Sequence, residues 1–315
     1  MKRRVGLIVP TLNAGRSWQD WLERADRQSF SPARKLVIDS SSDDDTPDLA
    51  RAHGFEVVSI ARRDFNHGGT RQMAGDLLDD CDILVYLTQD ALLASADALC
   101  KLVAAFDDPN VALAYGRQLP HEDAGPIGAH ARLFNYPATE VKKTLADIPR
   151  LGIKTAFCSN SFAAYRRSDL LDVGGFASNV IFGEDSHAAT RLLLSGKTIH
   201  YVAAAAVYHS HDYSLTEDFR RYFDIGVFHS WESWITDALG TAEGEGFRFM
   251  RSEVHYLLAN APWLIPSALA RMAVKYAAYQ LGKRENRLSQ NSKLRFSMNR
   301  TFWSTAQHRG RSRDQ

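Results

Sequence analysis

A chain of 315 residues with 45% hydrophobic and 24% charged side chains is long enough to bury a large core, as one α/β unit or two smaller ones. Its formal net charge of +1 speaks against nucleic acid as a partner of the whole chain, although residues 282–315 hold nine Lys or Arg against two acids. Three cysteines without a CxxC spacing argue against a disulfide framework or a structural zinc, and the run before Pro10 is too short for a signal-peptide core. With no apolar stretch long enough to span a bilayer, a reducing, cytoplasmic setting is expected.

Residues 5–9 are continuously apolar, as a strand buried on both faces of a parallel sheet requires. Residues 18–28 have helical spacing, with Trp18, Trp21, Leu22 and Ala25 on one side. Residues 35–38 predict a second strand, ending in Asp39 and a polar run to Thr46. Pro47 then suits a helix start, and the helix continues to His53. A third strand over 55–60, a helix over 70–78 and a fourth strand over 82–87 lead into Thr88-Gln89-Asp90. A helix over 95–106, a strand over 111–116 and an irregular stretch over 121–149 follow, then strand-like spacing over 155–165. Gly183-Glu184-Asp185 opens a helix through Leu194, and 198–207 is a further strand. This alternation predicts a doubly wound sheet. From Ser214 the chain turns to aromatic-rich helices, and residues 257–281 are largely apolar, with Arg271 and Lys275 as their charges.

Ligands of such sheets bind beyond the carboxyl ends of the strands. Polar clusters fall at three of those ends: Pro10-Thr11-Leu12-Asn13, Asp39-Ser40-Ser41-Ser42 and Thr88-Gln89-Asp90. The turn after the first strand has neither GxGxxG nor GxxxxGK[ST], so no glycine-rich phosphate cradle is present there. Asp39 would accept hydrogen bonds from a base or ribose, or else cap its own turn. Arg71, after a Gly-Gly turn, would pair with a phosphate or brace Asp39, or else form a surface ion pair. Asp90 suits a hard cation with phosphate oxygens, or a helix N-cap. Glu184 and Asp185 at a helix start are favoured by its dipole, and facing a cleft they suit general-base work. His209 and His211, one residue apart after a strand, share a face from which a metal can be bound; hydrogen-bonded structure is the alternative.

These residues, taken in order, resemble family 2 glycosyltransferases of the GT-A fold, and within them bacterial rhamnosyltransferases, over roughly residues 3–230. The likeness rests on Val9-Pro10-Thr11-Leu12-Asn13, on Val37 to Thr46 (VIDSSSDDDT), on Phe65-Asn66-His67-Gly68-Gly69-Thr70-Arg71 and on Leu87-Thr88-Gln89-Asp90-Ala91. It continues through Ser159-Asn160-Ser161, Gly183-Glu184-Asp185, His209-Ser210-His211 and Arg221-Tyr222-Phe223-Asp224-Ile225-Gly226. The resemblance implies an α/β, Rossmann-like doubly wound mixed sheet with helices on both faces. A catalytic domain over 1–213 would divide into a nucleotide-sugar half to about residue 118 and an acceptor half over 119–213. Residues 214–315 would form a C-terminal helical region with a basic tail.

It further implies that Pro10, Thr11 and Asn13 line the nucleotide pocket, with Asp39 at the base and Arg71 close by, and that His67, Thr88, Gln89 and Asp90 also bind the nucleotide-sugar. Asp90 matches the last acid of the family's DxD motif, whose first acid is Thr88 here, so one carboxylate serves Mg2+ or Mn2+. His209 or His211 would complete the ligands. Asp185 matches the catalytic base, with Glu184 as its substitute. The donor would be a dTDP-sugar, dTDP-rhamnose, or alternatively a UDP-hexose, and the acceptor a glycan or polyprenyl-diphosphate-linked glycan of the cell envelope. The stretch 257–281 with its basic tail reads either as a helical hairpin covering the domain or joining a homo-oligomer, or as a peripheral anchor on an anionic membrane surface. A nucleotidyltransferase would carry a basic glycine-rich loop after its first strand, which Leu12 to Arg16 is not, and a catalytically dead scaffold need not keep both Asp90 and Asp185.

Overall fold

Every apolar strand here sends alternate side chains to opposite faces, and one sheet therefore separates two cores. The computed structural model describes residues 3–240 and 244–304. Its strands are β1 (Val5–Thr11), β2 (Arg34–Asp39), β3 (Glu56–Ser59), β4 (Ile83–Leu87), β5 (Leu92–Leu93), β6 (Val111–Leu119), β7 (Val141–Lys143), β8 (Phe162–Arg166) and β9 (Thr198–Tyr208). They order as β3-β2-β1-β4-β8-β6-β9-β5, with β7 also on β9. β1 to β4 run parallel where they pair, β8 runs antiparallel to β4 and β6, and β9 is parallel to β6. The expected doubly wound, mixed sheet with helices on both faces is what forms.

One face buries Val5, Leu7, Val9, Val37, Val85 and Leu87 under the helices Ser17–Asp26 and Ala98–Ala104. The other buries Ile8, Leu36, Ile38, Leu84 and Tyr86 under the helices His67–Leu77 and Glu184–Leu194. Phe223, Val227, Phe228, Ile235, Leu239 and Ala278, from the helices Leu215–Trp231, Ser233–Leu239 and Ile265–Gly282, belong to this second core. The 257–281 stretch is broken at Ala261–Leu264, between the helices Glu245–Asn260 and Ile265–Gly282.

Some element boundaries differ from the sequence expectation, each for a local reason. The helix expected from residue 70 begins at His67, because the Asn66 side chain accepts from the Gly69 N–H and caps it earlier. Gly68 is then required by close approach, since a Cβ there would lie 1.8 Å from the Ala177 carbonyl oxygen. The strand expected over 155–165 shortens to β8. Gly152–Ala156 closes as a 3-10 turn, and the buried Lys143 Nζ donates to the carbonyls of Lys154 and Phe157, at 3.3 and 2.5 Å. The irregular 121–149 stretch holds the helix Pro126–Asn135 and β7. That helix starts where the remote Asp212 carboxylate accepts from the Gly125 N–H, a contact that local spacing does not encode.

Candidate functional site

The carboxyl ends of β1, β2 and β4 lie side by side, and the β8 neighbour brings its entry loop, residues 159–161, to the same edge. β6 and β9, parallel to each other, also end there. Between Gly116 and Arg117 the β6–β9 register jumps, so that β9 bulges over Ala203–Ala205. Gly116 admits the bulge, because a Cβ there would lie 2.6 Å from the Ala205 oxygen. Bulges of this kind re-aim the side chains that follow, here Gln118 and, from the end of β9, His209.

At the first two strand ends the loops lock onto each other. Asp39, only 2% exposed, accepts from the Thr11 hydroxyl at 3.0 Å and from the Ser42 N–H and hydroxyl at 2.9 and 2.6 Å. Asn13 is left-handed, with φ of 46°. Its N–H donates to Ser42 Oγ at 2.8 Å and its side-chain oxygen accepts from the Asp43 N–H at 2.8 Å. Pro10 sits opposite Ile38 in the β1–β2 register. Gln89 clasps the Leu12 backbone with both ends of its amide, at 2.8 and 3.1 Å. The structure therefore places Thr11, Asn13, Asp39 and Gln89 together as one braced rim, with Gln89 engaged on the main chain.

Beyond β4 and β9, Asp90, His209 and His211 converge. One ligand atom from each lies within 4.8 Å of the others. His209 Nε2 is 3.1 Å from His211 Nε2 and 3.5 Å from Asp90 Oδ2, and His211 Nε2 is 3.7 Å from the same oxygen. Gln118 Oε1 accepts from Arg132 at 2.5 Å, so it presents an acceptor to His209 Nδ1 at 2.9 Å. His209 Nδ1 then carries a proton, and Nε2 is turned towards Asp90 and His211. Orientation of a ligating imidazole by an acceptor on its other nitrogen is the usual support of a metal site. Burial, with the charge of His209, pushes His211 down to about 4, so the ring is neutral and free to ligate at neutral pH. Burial works against the Asp90 carboxylate, but the hydrogen bond and charge of His209, with Thr88 and His211, hold it well below the usual range. Two nitrogens and a carboxylate oxygen on one side of a cleft fit a divalent cation that keeps places for ligand oxygens.

Across the same edge, the helix Glu184–Leu194 begins at Gly183, whose φ is 75°. Glu184 is buried against Arg71 Nη1 at 3.0 Å and Asn160 Nδ2 at 3.1 Å. Arg71 is 5% exposed and also donates to the His67 carbonyl at 3.0 Å. It is thus placed with Glu184 and His67, and it forms a buried ion pair rather than a surface one. Burial lowers the His67 imidazole's affinity for a proton. Asp185 accepts from the Ser186 N–H at 2.7 Å and the Asn160 N–H at 3.4 Å. Burial and the neighbouring Glu184 charge raise it to about 6. One member of the acid pair is spent on structure, and the other is left as the stronger base.

Gln118 and Asn160 were missed as site residues by the sequence reading. Gln118 would have been found had the strand over 111–116 been carried to its true end at Leu119. Asn160 belongs to the Ser159-Asn160-Ser161 motif of the resemblance but was given no role, and it sits in a loop within the strand expected over 155–165.

The model of the family described as Glycosyl transferase family 2 matches residues 7–174. The O-antigen chain rhamnosyltransferase RfbN of Salmonella typhimurium is 45% identical over 97% of this chain and 98% of its own length. The O-antigen chain rhamnosyltransferase WbaN of Salmonella anatum is 45% identical over 96% of each. Among solved structures, the mannosyltransferase PcManGT from Pyrobaculum calidifontis, in complex with GDP-Man and Mn2+, matches with a TM-score of 0.56 at 21% identity. It covers 96% of this chain and 86% of its own. S. aureus TarS 1-349 in complex with UDP matches at 0.51 and 16% identity, over 90% of this chain and 91% of its own.

Proposed function

We propose, starting from the fact that this chain belongs to glycosyl transferase family 2 and has its GT-A fold, that it transfers L-rhamnose from dTDP-rhamnose to a hydroxyl of an O-antigen glycan, with inversion. That the chain is a glycosyltransferase is the premise; donor, acceptor and residue roles are the proposal. The observation that carries it is 45% identity to two O-antigen chain rhamnosyltransferases across nearly all of both chains.

In this reading the nucleoside lies along the rim made by Pro10, Thr11, Asn13 and Asp39, with His67, Thr88 and Gln89 towards the sugar. Asp185 takes the proton of the acceptor hydroxyl as that oxygen bonds to the anomeric carbon. The bond from this carbon to the diphosphate oxygen breaks, and its electron pair leaves on the phosphate. A single displacement inverts the configuration and needs no enzyme nucleophile. A carboxylate raised to about 6 is more basic than an ordinary aspartate yet still ionised at neutral pH, which is the compromise general-base catalysis favours. Asp90, His209 and His211 would hold a divalent cation, which when bound supplies Lewis-acid neutralisation of the diphosphate. Their two nitrogen donors suit Mn2+ better than Mg2+, which prefers an octahedron of oxygens.

Turnover with dTDP-rhamnose and with UDP-hexoses, with Mn2+ and after chelation, tests the reading. Release of dTDP from dTDP-rhamnose that rises with acceptor glycan is expected; turnover confined to a UDP-hexose overturns the donor assignment.

For the acceptor, the same reading takes a polyprenyl-diphosphate-linked glycan at the inner face of the cytoplasmic membrane. Among the described residues no helix is long and apolar enough to cross a membrane. Leu258, Leu269 and Tyr276 on the two helices of the 257–281 stretch and Trp263 in the break between them are exposed, and the exposed Lys283, Arg284 and Arg287 follow them. Apolar and interfacial aromatic side chains beside cations suit an anionic surface. Arg309, Arg311 and Arg313 of the basic tail lie outside the described residues. Flotation with anionic vesicles should be lost on replacing Trp263 and Leu269 by Ser; a stable dimer in solution that buries these residues is the contrary outcome.

A further inference from the structure

We infer that Arg221 binds the diphosphate of the nucleotide donor, from a position between the Asp90–His209–His211 cluster and the loop leading to Asp185. The inference rests on the glycosyltransferase site proposed above and names a residue that the mechanism so far leaves idle.

Arg221 belongs to the helix Leu215–Trp231, whose start is set by a reciprocal cap between Ser214 and Glu217. Its guanidinium carbon lies 5.0 Å from the ring centre of Phe182 and 5.7 Å from that of Tyr213. Phe182 stands three residues before Asp185 on the loop that delivers the base. Tyr213 stacks on His211, with centroids 5.2 Å apart and planes at 26°. Two rings, one from each half of the site, therefore hold the guanidinium between the base and the metal-ligand cluster.

Most arginines around this site have an oxygen partner. Arg71 has Glu184, Arg132 has Gln118, and Arg271 has Asp218 and the Tyr213 carbonyl. Among the described residues, no hydrogen bond or ion pair engages the Arg221 side chain, and the residue is half-buried rather than fully exposed. Arginine offers five N–H donors in a planar fork that matches phosphate oxygens two at a time. Here aromatic faces fix the plane and leave the donor edges unused. Holding the fork in place beforehand removes much of the ordering cost of binding. As the anomeric C–O bond breaks and its electron pair passes to the phosphate, a cation already aimed there stabilises the growing charge.

The test compares binding of a nucleoside diphosphate and the matching monophosphate, by calorimetry with Mn2+ present, to the native chain, Arg221→Gln and Arg221→Lys. For Arg221→Gln, loss of charge-assisted hydrogen bonds predicts diphosphate affinity weakened about 10- to 100-fold. Monophosphate affinity should change by less than about twofold, with a cooperative melt retained. Arg221→Lys keeps the cation beneath both rings but lacks the fork, and a smaller diphosphate-selective loss is expected. It carries the comparison if the Gln variant does not fold. Unchanged diphosphate affinity, or equal loss on both nucleotides, overturns the proposal. Failure of the native chain to bind either nucleotide removes the donor reading itself, and Arg221's role with it.

Discussion

Asp185 and Glu184 are adjacent acids with opposite fates, and the difference lies in what each one touches. Arg71 and Asn160 take up Glu184, while Asp185 receives two backbone N–H groups, one of them distant, and feels both burial and its neighbour's charge. Replacing Asp185 by Asn should lower turnover by about 10²- to 10⁴-fold, the range for a general base, with nucleotide affinity unchanged by calorimetry. Turnover within tenfold of native would remove Asp185 from the role. In native enzyme kcat/KM should rise with pH through about 6, the value to which Asp185 is raised, because only the ionised form accepts a proton. Glu184→Gln deletes the charge that raises Asp185, and the Arg71 it frees lowers Asp185 further. That rising limb should therefore move to lower pH; a shift upward would contradict the assignment. The same shift has a cost in stability. Asp185 is raised above its ordinary 3.8, so the native state is destabilised progressively between about pH 4 and pH 6 and stays so above. The melting-temperature advantage of the Asn variant should accordingly be larger at pH 7.5 than at pH 4.

At the scale of elements, geometry comes from where strands and helices stop. β6 continues past the β9 bulge to Gln118, which faces Nδ1 of His209 from one strand over. Replacing Gln118 by Leu removes no metal ligand, yet Mn2+ affinity should fall about 10- to 100-fold, as for other supports of ligating histidines; an unaltered titration would show that the imidazole needs no such guide. Likewise the His67–Leu77 helix packs its first turn on the Ala177 carbonyl so closely that Gly68→Ala must displace backbone. A loss of about 1–3 kcal/mol in unfolding free energy is expected, measured by denaturant titration. These supports were hidden at the sequence level. A bulge across β9, the close approach at Gly68 and the hold of Asp212 on Gly125 each join segments far apart in the chain, and periodicity records only neighbours.

Across the whole molecule, the C-terminal helices are part of the fold that carries the site. Phe223, Val227 and Phe228 share a core with Leu84, Tyr86 and Leu192 beneath the sheet, and Arg221 on the same helix stacks over Phe182. A chain ending at residue 213 would expose that face, and it should lack the single cooperative melt of the intact protein. A sharp native-like transition in the truncated chain would show residues 1–213 to be an independent unit.

The strand alternation, the placement of Pro10, Thr11, Asn13, Asp39 and Asp90 at strand ends and the pairing of His209 with His211 were all legible in the sequence, because buried parallel strands are continuously apolar and their ends are abruptly polar. The partners were not. That Glu184 would be consumed by Arg71, that Gln89 would clasp Leu12, that Gln118 would hold Nδ1 of His209 and that the Arg221 guanidinium would stand between two rings without an oxygen partner among the described residues are facts of long-range packing. Burial and the distance to the next charge decide what a polar side chain does, and both quantities exist only once the sheet has brought its distant ends to one edge.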